Sequence, residues 1–199
     1  MKLDHIAIAC DDLERGTKWV SDILGVPLVT GGEHLRYGTH NTLLGLADGL
    51  YLEVIAKNPG AAPTGRATWF GLDQFAGPPR PANWICAVDD IASVAAIAGP
   101  AHALTRGDLR WQITVPDDGR LPFDGAFPTC ITWGEGVPHP ATVLPVSGCV
   151  LHRWIVTHPQ ADQVAALAQL DDPRVAFRTG PQVQFAAEID TPTGRKVLA

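Results

Sequence analysis

The alternation of apolar and polar positions opens with a short apolar run over residues 3–10, Leu-Asp-His-Ile-Ala-Ile-Ala-Cys, which ends in Asp11-Asp12. A run of this length reads as a buried strand, and an aspartate directly after it suits a helix N-cap. Leu13, Trp19, Val20 and Ile23 then fall on one face at helical spacing, and Leu24-Gly25 supplies a glycine able to take the left-handed C-cap conformation. The spacing predicts a helix over 13–24. Strand-like stretches follow at 26–29, 39–46 and 50–56, separated by Gly31-Gly32 and by the hairpin signal Ala47-Asp48-Gly49. The element order is β-α-β-β-β.

The pattern recurs. Asn83-Trp84-Ile85-Cys86-Ala87-Val88-Asp89-Asp90-Ile91 matches the stretch from His5 to Leu13 in character, position by position. A helix is expected over 91–98, and strands at 110–115 and 128–133 flank the turn Pro116-Asp117-Asp118-Gly119. A third, partial copy begins at 149–157, continues through a helix over 160–170 and closes with strands near 175–178, 183–190 and 196–198. Modules are therefore expected at 1–57 and 82–134, a third βαβββ-like repeat at 149–199, and Pro- and Gly-rich links at 58–81 and 135–148, all packing as one globular unit. Repetition of this kind means that each unit buries its sheet face against a neighbour.

Composition narrows the function classes. The 199 residues are 46% hydrophobic and 18% charged, enough apolar surface for a packed core. The net charge of −6 is spread without runs, and the 15 Lys and Arg form no stripe that could track phosphates, so nucleic acid is not an expected partner. No stretch reaches the roughly 18 continuous apolar residues of a membrane helix, and no secretory leader is legible at the N-terminus, which gives a cytoplasmic expectation. Cys10, Cys86, Cys130 and Cys149 lie too far apart for a CxxC motif and read as reduced, buried thiols.

Tandem βαβββ units that open with Leu-Asp-His-Ile-Ala-Ile and close on Tyr51-Leu52-Glu53-Val54-Ile55 resemble the vicinal oxygen chelate superfamily, in its glyoxalase-like branch. The resemblance implies an α+β fold of the glyoxalase/bleomycin resistance/dihydroxybiphenyl dioxygenase kind, in which paired modules from one chain or from a homodimer curve their sheets around a cup. It also implies a small oxygenated ligand in that cup and a divalent metal (Zn, Fe, Mn or Ni) held by a His on a first strand and a Glu on a last strand. Those places are His5 and Glu53; His40, on the strand next to the last one, is a candidate replacement ligand by its position rather than by the resemblance. The chain departs from the family pattern in its later units. Asn83 and Arg153 stand where His5 would recur, and 128–133 contains no acid.

The residues themselves agree in part. Ile6, Ile8 and Cys10 alternate away from His5, so His5 faces the side opposite the helix. Glu53 is a lone acid in an apolar strand, costly to bury unless paired, hydrogen-bonded or metal-bound. It either binds metal or accepts a hydrogen bond from His5 or Tyr51. Without metal, His5 and Glu53 form a catalytic acid/base pair for a carbon acid beside a carbonyl, with Asn41, Asn83 or Arg153 binding the oxyanion. Tyr51 and Trp133 line the pocket, and His139, carried on the second link beyond the 128–133 strand, folds over its mouth, with His34 a further loop histidine. Three functions follow: a metal-assisted or acid/base lyase or isomerase, a non-catalytic protein that sequesters a small molecule, and an extradiol-type dioxygenase using His5, His40 and Glu53.

Overall fold

The computed structural model describes residues 1–199. Strands β1 (Lys2–Ala9), β2 (Val29–His34), β3 (Thr39–Gly45) and β4 (Tyr51–Lys57), with helix α1 (Leu13–Leu24) after β1, form the first module. Asp12 caps α1 by accepting from Arg15 N, and Gly25 ends it at φ 71. The second module has β5 (Arg80–Ala87), a 3-10 turn running into the single helical turn α2 (Ala95–Ala98), β6 (Ala101–Arg106), β7 (Leu109–Thr114) and β8 (Thr129–Trp133). In each module the last strand lies parallel to the first, and antiparallel pairing of β1 with β5 joins the two into one eight-stranded sheet ordered β2-β3-β4-β1-β5-β8-β7-β6.

The sequence pattern misplaces one strand, overextends one helix and misses one strand. The strand expected at 26–29 lies instead at 29–34, and Gly31-Gly32 falls inside it rather than before it. Pro27 removes a backbone donor at the start of the expected run, and the glycines allow the close approach of Asn41 and Arg106 to this strand. The helix expected over 91–98 is reduced to a 3-10 turn and one α turn, stopped by Gly99-Pro100. Strand β6 carries no apolar alternation strong enough to announce it, because its positions alternate between exposed and half-buried at the sheet edge.

The C-terminal segment, after the short helix α3 (Pro140–Val143), holds β9 (Val150–His158), α4 (Ala161–Ala168), β10 (Val175–Thr179), β11 (Gln184–Thr191) and β12 (Gly194–Leu198). Its order along the chain is βαβββ, but its sheet is β10-β9-β11-β12. The parallel partner of its first strand is the strand directly after the helix, not the last one.

Two cores separate the faces of the large sheet. Ile6, Ile8, Leu52, Val54, Trp84 and Cys86 point to one face, where α1 and the second sheet, through Trp154, Val156 and Ile189, cover them. Ala7, Ile55, Ile85, Ile113 and Ile131 point to the concave face, where Trp69, Phe70 and Leu72 of the segment between β4 and β5 pack over them. Trp69 stacks on Tyr37 at 4.5 Å and anchors its indole N–H to Thr39 Oγ1 at 3.0 Å, so this segment closes one side of the cup. No helix is long and apolar enough to cross a membrane.

Candidate functional site

A β-bulge sets the site. In the β1–β5 ladder Leu3 pairs with Cys86 and His5 with Ile85, leaving Asp4 as an extra residue. Without it Leu3 and His5 would share a face. With it, Leu3 enters the core beneath α1 while His5 turns into the cup and Asp4 reaches the cup side as well. Both are almost sealed, at 4% exposure each, as is Glu53 at 5%.

Asp4 collects three donors. Its Oδ1 accepts from His5 Nδ1 at 2.6 Å, and its Oδ2 accepts from Trp133 Nε1 at 3.0 Å and His139 Nε2 at 3.0 Å. Burial by itself would raise the Asp4 pKa, but the hydrogen bonds from His139 and His5 and the charge interactions with them outweigh it and hold the carboxyl below the usual range. An ionised carboxylate only accepts, so the proton of His5 lies on Nδ1 and that of His139 on Nε2. His139 agrees, since its Nδ1 accepts the N–H of Ala141 at 3.2 Å as the N-cap of α3.

The other nitrogen of His5, Nε2, is aimed into the cup. Nε2 lies 3.8 Å from Glu53 Oε2 and 3.4 Å from the Tyr51 hydroxyl, and the Tyr51 ring stacks on the imidazole at 4.2 Å. Burial, reinforced by the charges of Asp4 and Glu53, keeps Tyr51 protonated well above its ordinary pKa. Glu53 is held from its far side: Asn41 Nδ2 donates to Oε1 at 2.5 Å, and Asn41 Oδ1 accepts from Gly32 N at 2.8 Å. A Cβ on Gly31 would come within 2.0 Å of Asn41 Oδ1, so β2 can pass this close only with glycine there.

His5, Asn41, Tyr51 and Glu53 border a cavity of about 40 Å³ walled by Trp69, Phe70, Trp111 and Trp133. At roughly 10–15 Å³ per water this is room for about three waters. A second, open groove of about 840 Å³ runs past Arg80, Arg120 and Arg178 and shares only Phe70 with the first. The larger space carries no buried titratable cluster, and we place the chemistry in the smaller one.

The structure thus brings His5, Glu53, Asn41, Tyr51, Trp133 and His139 together. It does not bring His40, Asn83 or Arg153 to them. His40 has the parity of Thr42 and Leu44, which meet α1 and the core on the opposite face, so the ring points away from Glu53. The extradiol set of His5, His40 and Glu53 is accordingly not assembled. Asn83 stands at the second-module counterpart of His5, and its amide donates to Thr129 Oγ1 at 2.9 Å, the counterpart of Glu53. That neutral pair closes on itself. Arg153 belongs to the second sheet, paired in register with Glu188.

Two residues escaped the sequence reading. Asp4 carried the same signal as Glu53, an acid inside an apolar strand. Arg106 carried none, because its strand went unseen.

The divalent metal that the resemblance implies does not fit this donor set. His5 Nε2 and Glu53 Oε2 are two free donors where three or four are usual. The second module offers Asn83, Thr129 and apolar side chains, and no group of three or more His, Cys, Asp or Glu side chains converges on a point that could hold an ion.

The sequence profile described as a glyoxalase-like domain matches residues 3–170, ending before β10. Among solved structures, a hypothetical protein from Staphylococcus aureus superposes with a TM-score of 0.62 at 15% identity, covering 92% of this chain and 87% of that one. Methylmalonyl-CoA epimerase from Mycobacterium tuberculosis gives a TM-score of 0.42 at 21% identity over 71% of this chain and 92% of that one. No curated protein matches the chain. With its profile match spanning most of the sequence, the chain belongs to the glyoxalase-like domain family and so to the vicinal oxygen chelate superfamily.

Proposed function

We propose that the protein is an acid/base enzyme that moves a proton on a carbon next to a carbonyl in a small oxygenated molecule. The observation that carries this reading is His5, whose Nδ1 is held by buried Asp4 while its Nε2 faces a small cavity beside Glu53. A carboxylate behind the imidazole holds the tautomer and stabilises the imidazolium that forms. The C–H bond breaks, its proton passes to Nε2, and its electron pair moves into an enolate. Glu53 Oε2 then stabilises the new charge on the ring. Tyr51, kept protonated and 3.4 Å from Nε2, supplies a hydroxyl donor for the enolate oxygen. Return of the proton to the same carbon gives racemisation or exchange, and return to a neighbouring atom gives isomerisation.

The test is deuterium incorporation. Incubation of the protein in D2O with pyruvate or hydroxyacetone, followed by proton NMR, is expected to show loss of the α-proton signal at a rate cut by about 10²–10⁴ in His5→Gln. Equal rates in wild type and His5→Gln refute the reading, and stoichiometric ligand binding without exchange would make the cup a storage site instead.

A further inference from the structure

The edges of the large sheet, β2 and β6, curl toward each other, and the closure is made by side chains. Arg106 Nη1 lies 3.2 Å from His34 Nε2, and Arg36 Nη2 lies 3.3 Å from His102 Nδ1. Arg106 lines the same cavity as His5 and Glu53, yet its only side-chain partner is His34. Burial, followed by the charge of Arg106, lowers the His34 pKa to about 3, so that ring is neutral and accepts at Nε2. Its Nδ1–H donates in turn to Thr39 Oγ1 at 3.0 Å. A guanidinium has five donors, and one neutral imidazole uses one of them.

The guanidinium is also placed by the backbone opposite. A Cβ on Gly32 would fall 2.9 Å from both Cδ and Nη1 of Arg106, so the side chain lies flat over Gly32. The N–H of that same glycine holds Asn41, which holds Glu53. A cation without a counter-ion and a proton-transfer group thus share one pocket, connected through a single glycine.

We infer that Arg106 is the anchor for a carboxylate on the substrate, so that the cup takes a short-chain oxo acid rather than a neutral aldehyde or ketone. This rests on the acid/base reading of the site. A planar carboxylate matches the free edge of the guanidinium in a bidentate pair. With about 40 Å³ available, the remainder of the molecule is a few carbon and oxygen atoms, so the C–H carbon beside the carbonyl shares the small cavity with His5 once the carboxylate is seated.

The experiment uses the full chain and two probes of near-equal size, pyruvate and its uncharged methyl ester. Binding is read from fluorescence of the cavity tryptophans and from calorimetry, and exchange from proton NMR in D2O. The wild type is expected to bind pyruvate about 10–100-fold more tightly than methyl pyruvate. Arg106→Gln should abolish that preference by weakening pyruvate alone. Gly32→Ala should do the same with an unchanged melting temperature, because the added methyl meets the flexible end of Arg106 rather than packed backbone. Equal binding of the two probes by the wild type, binding of neither, or a preference that survives in Arg106→Gln would overturn the assignment. The two readings fail separately: carboxylate preference without exchange removes only the acid/base chemistry, and His5-dependent exchange indifferent to Arg106 removes only the anchor.

Discussion

Asp4→Asn tests the site at its base. The carboxylate receives three hydrogen bonds from His5, His139 and Trp133 in a nearly sealed pocket. Asparagine has one acceptor oxygen and one donor amide. Its best arrangement leaves the oxygen facing Trp133 and His139, which can only donate there, and turns the amide toward His5. The imidazole must then accept at Nδ1 and carry its proton on Nε2, where it can no longer take one from substrate. Replacing charge-assisted bonds by neutral ones costs about 1 kcal/mol each, hence about 3 kcal/mol in all. For a chain of this size that lowers Tm by roughly 6–12 °C.

The pH dependence separates this effect from general damage. Asp4 has a folded pKa below its unfolded value of about 3.9, so its stabilisation is complete above that value and is lost as pH falls through the folded pKa. The gap between wild type and Asp4→Asn in urea unfolding should be constant from pH 8 to about 5 and narrow below about 4. His34, whose folded pKa is lowered, destabilises both proteins alike as pH falls below about 6.5, and that slope cancels in the difference. Proton exchange should drop by up to about 10⁴, the cost of a misheld tautomer in a serine-protease triad. Equal stability at pH 7, a gap that does not change in acid, or full exchange activity in Asp4→Asn would refute the assignment of the tautomer.

Two further outcomes are expected. Glu53→Gln keeps an oxygen for the Asn41 amide, so stability should change by about 1 kcal/mol or less while exchange falls by about 10²–10⁴, read by thermal unfolding and NMR. Cys10 and Cys130, both buried and pushed up to about 12 by desolvation, should resist iodoacetamide at pH 8 in the native protein and react only after unfolding, as counted by mass spectrometry.

The helix over 13–24 was legible to the residue because cap, apolar face and terminal glycine all agree there. The alternation of Ile6 and Ile8 against His5 correctly separated the two faces of β1, and the isolation of Glu53 marked it as a group that needs a partner. The bulge at Asp4 was not legible, because an inserted residue leaves no mark on an apolar run, and it is what carries Asp4 to the side of His5. His40 was misjudged for a related reason: adjacency to the last strand in sequence says nothing of parity, and parity with Thr42 sends it to the wrong face. The third unit repeats the order of elements without repeating their pairing, a distinction that hydrophobic pattern cannot express.

The difference between the two modules explains why one of them holds the chemistry. Both place a polar pair on neighbouring strands at corresponding positions, His5 with Glu53 and Asn83 with Thr129. In the second the amide donates to the hydroxyl at 2.9 Å and neither group is ionisable, which makes the pair a neutral strut in the floor of the sheet. In the first the partners stand 3.8 Å apart, too far to satisfy each other, and each is bound from behind, by Asp4 on one side and Asn41 on the other. In front, His5 Nε2 meets only the Tyr51 hydroxyl at a long 3.4 Å, so groups held from behind keep an open face toward the cavity, which is the condition for proton transfer. The second module contributes instead the wall and the roof: Trp133 fixes Asp4, and Arg106 closes the far edge over Gly32. Reactivity on one module and containment on the other require the β1–β5 junction to set the distance between them, so a substitution that shifts that ladder should impair exchange even where no cup residue is altered.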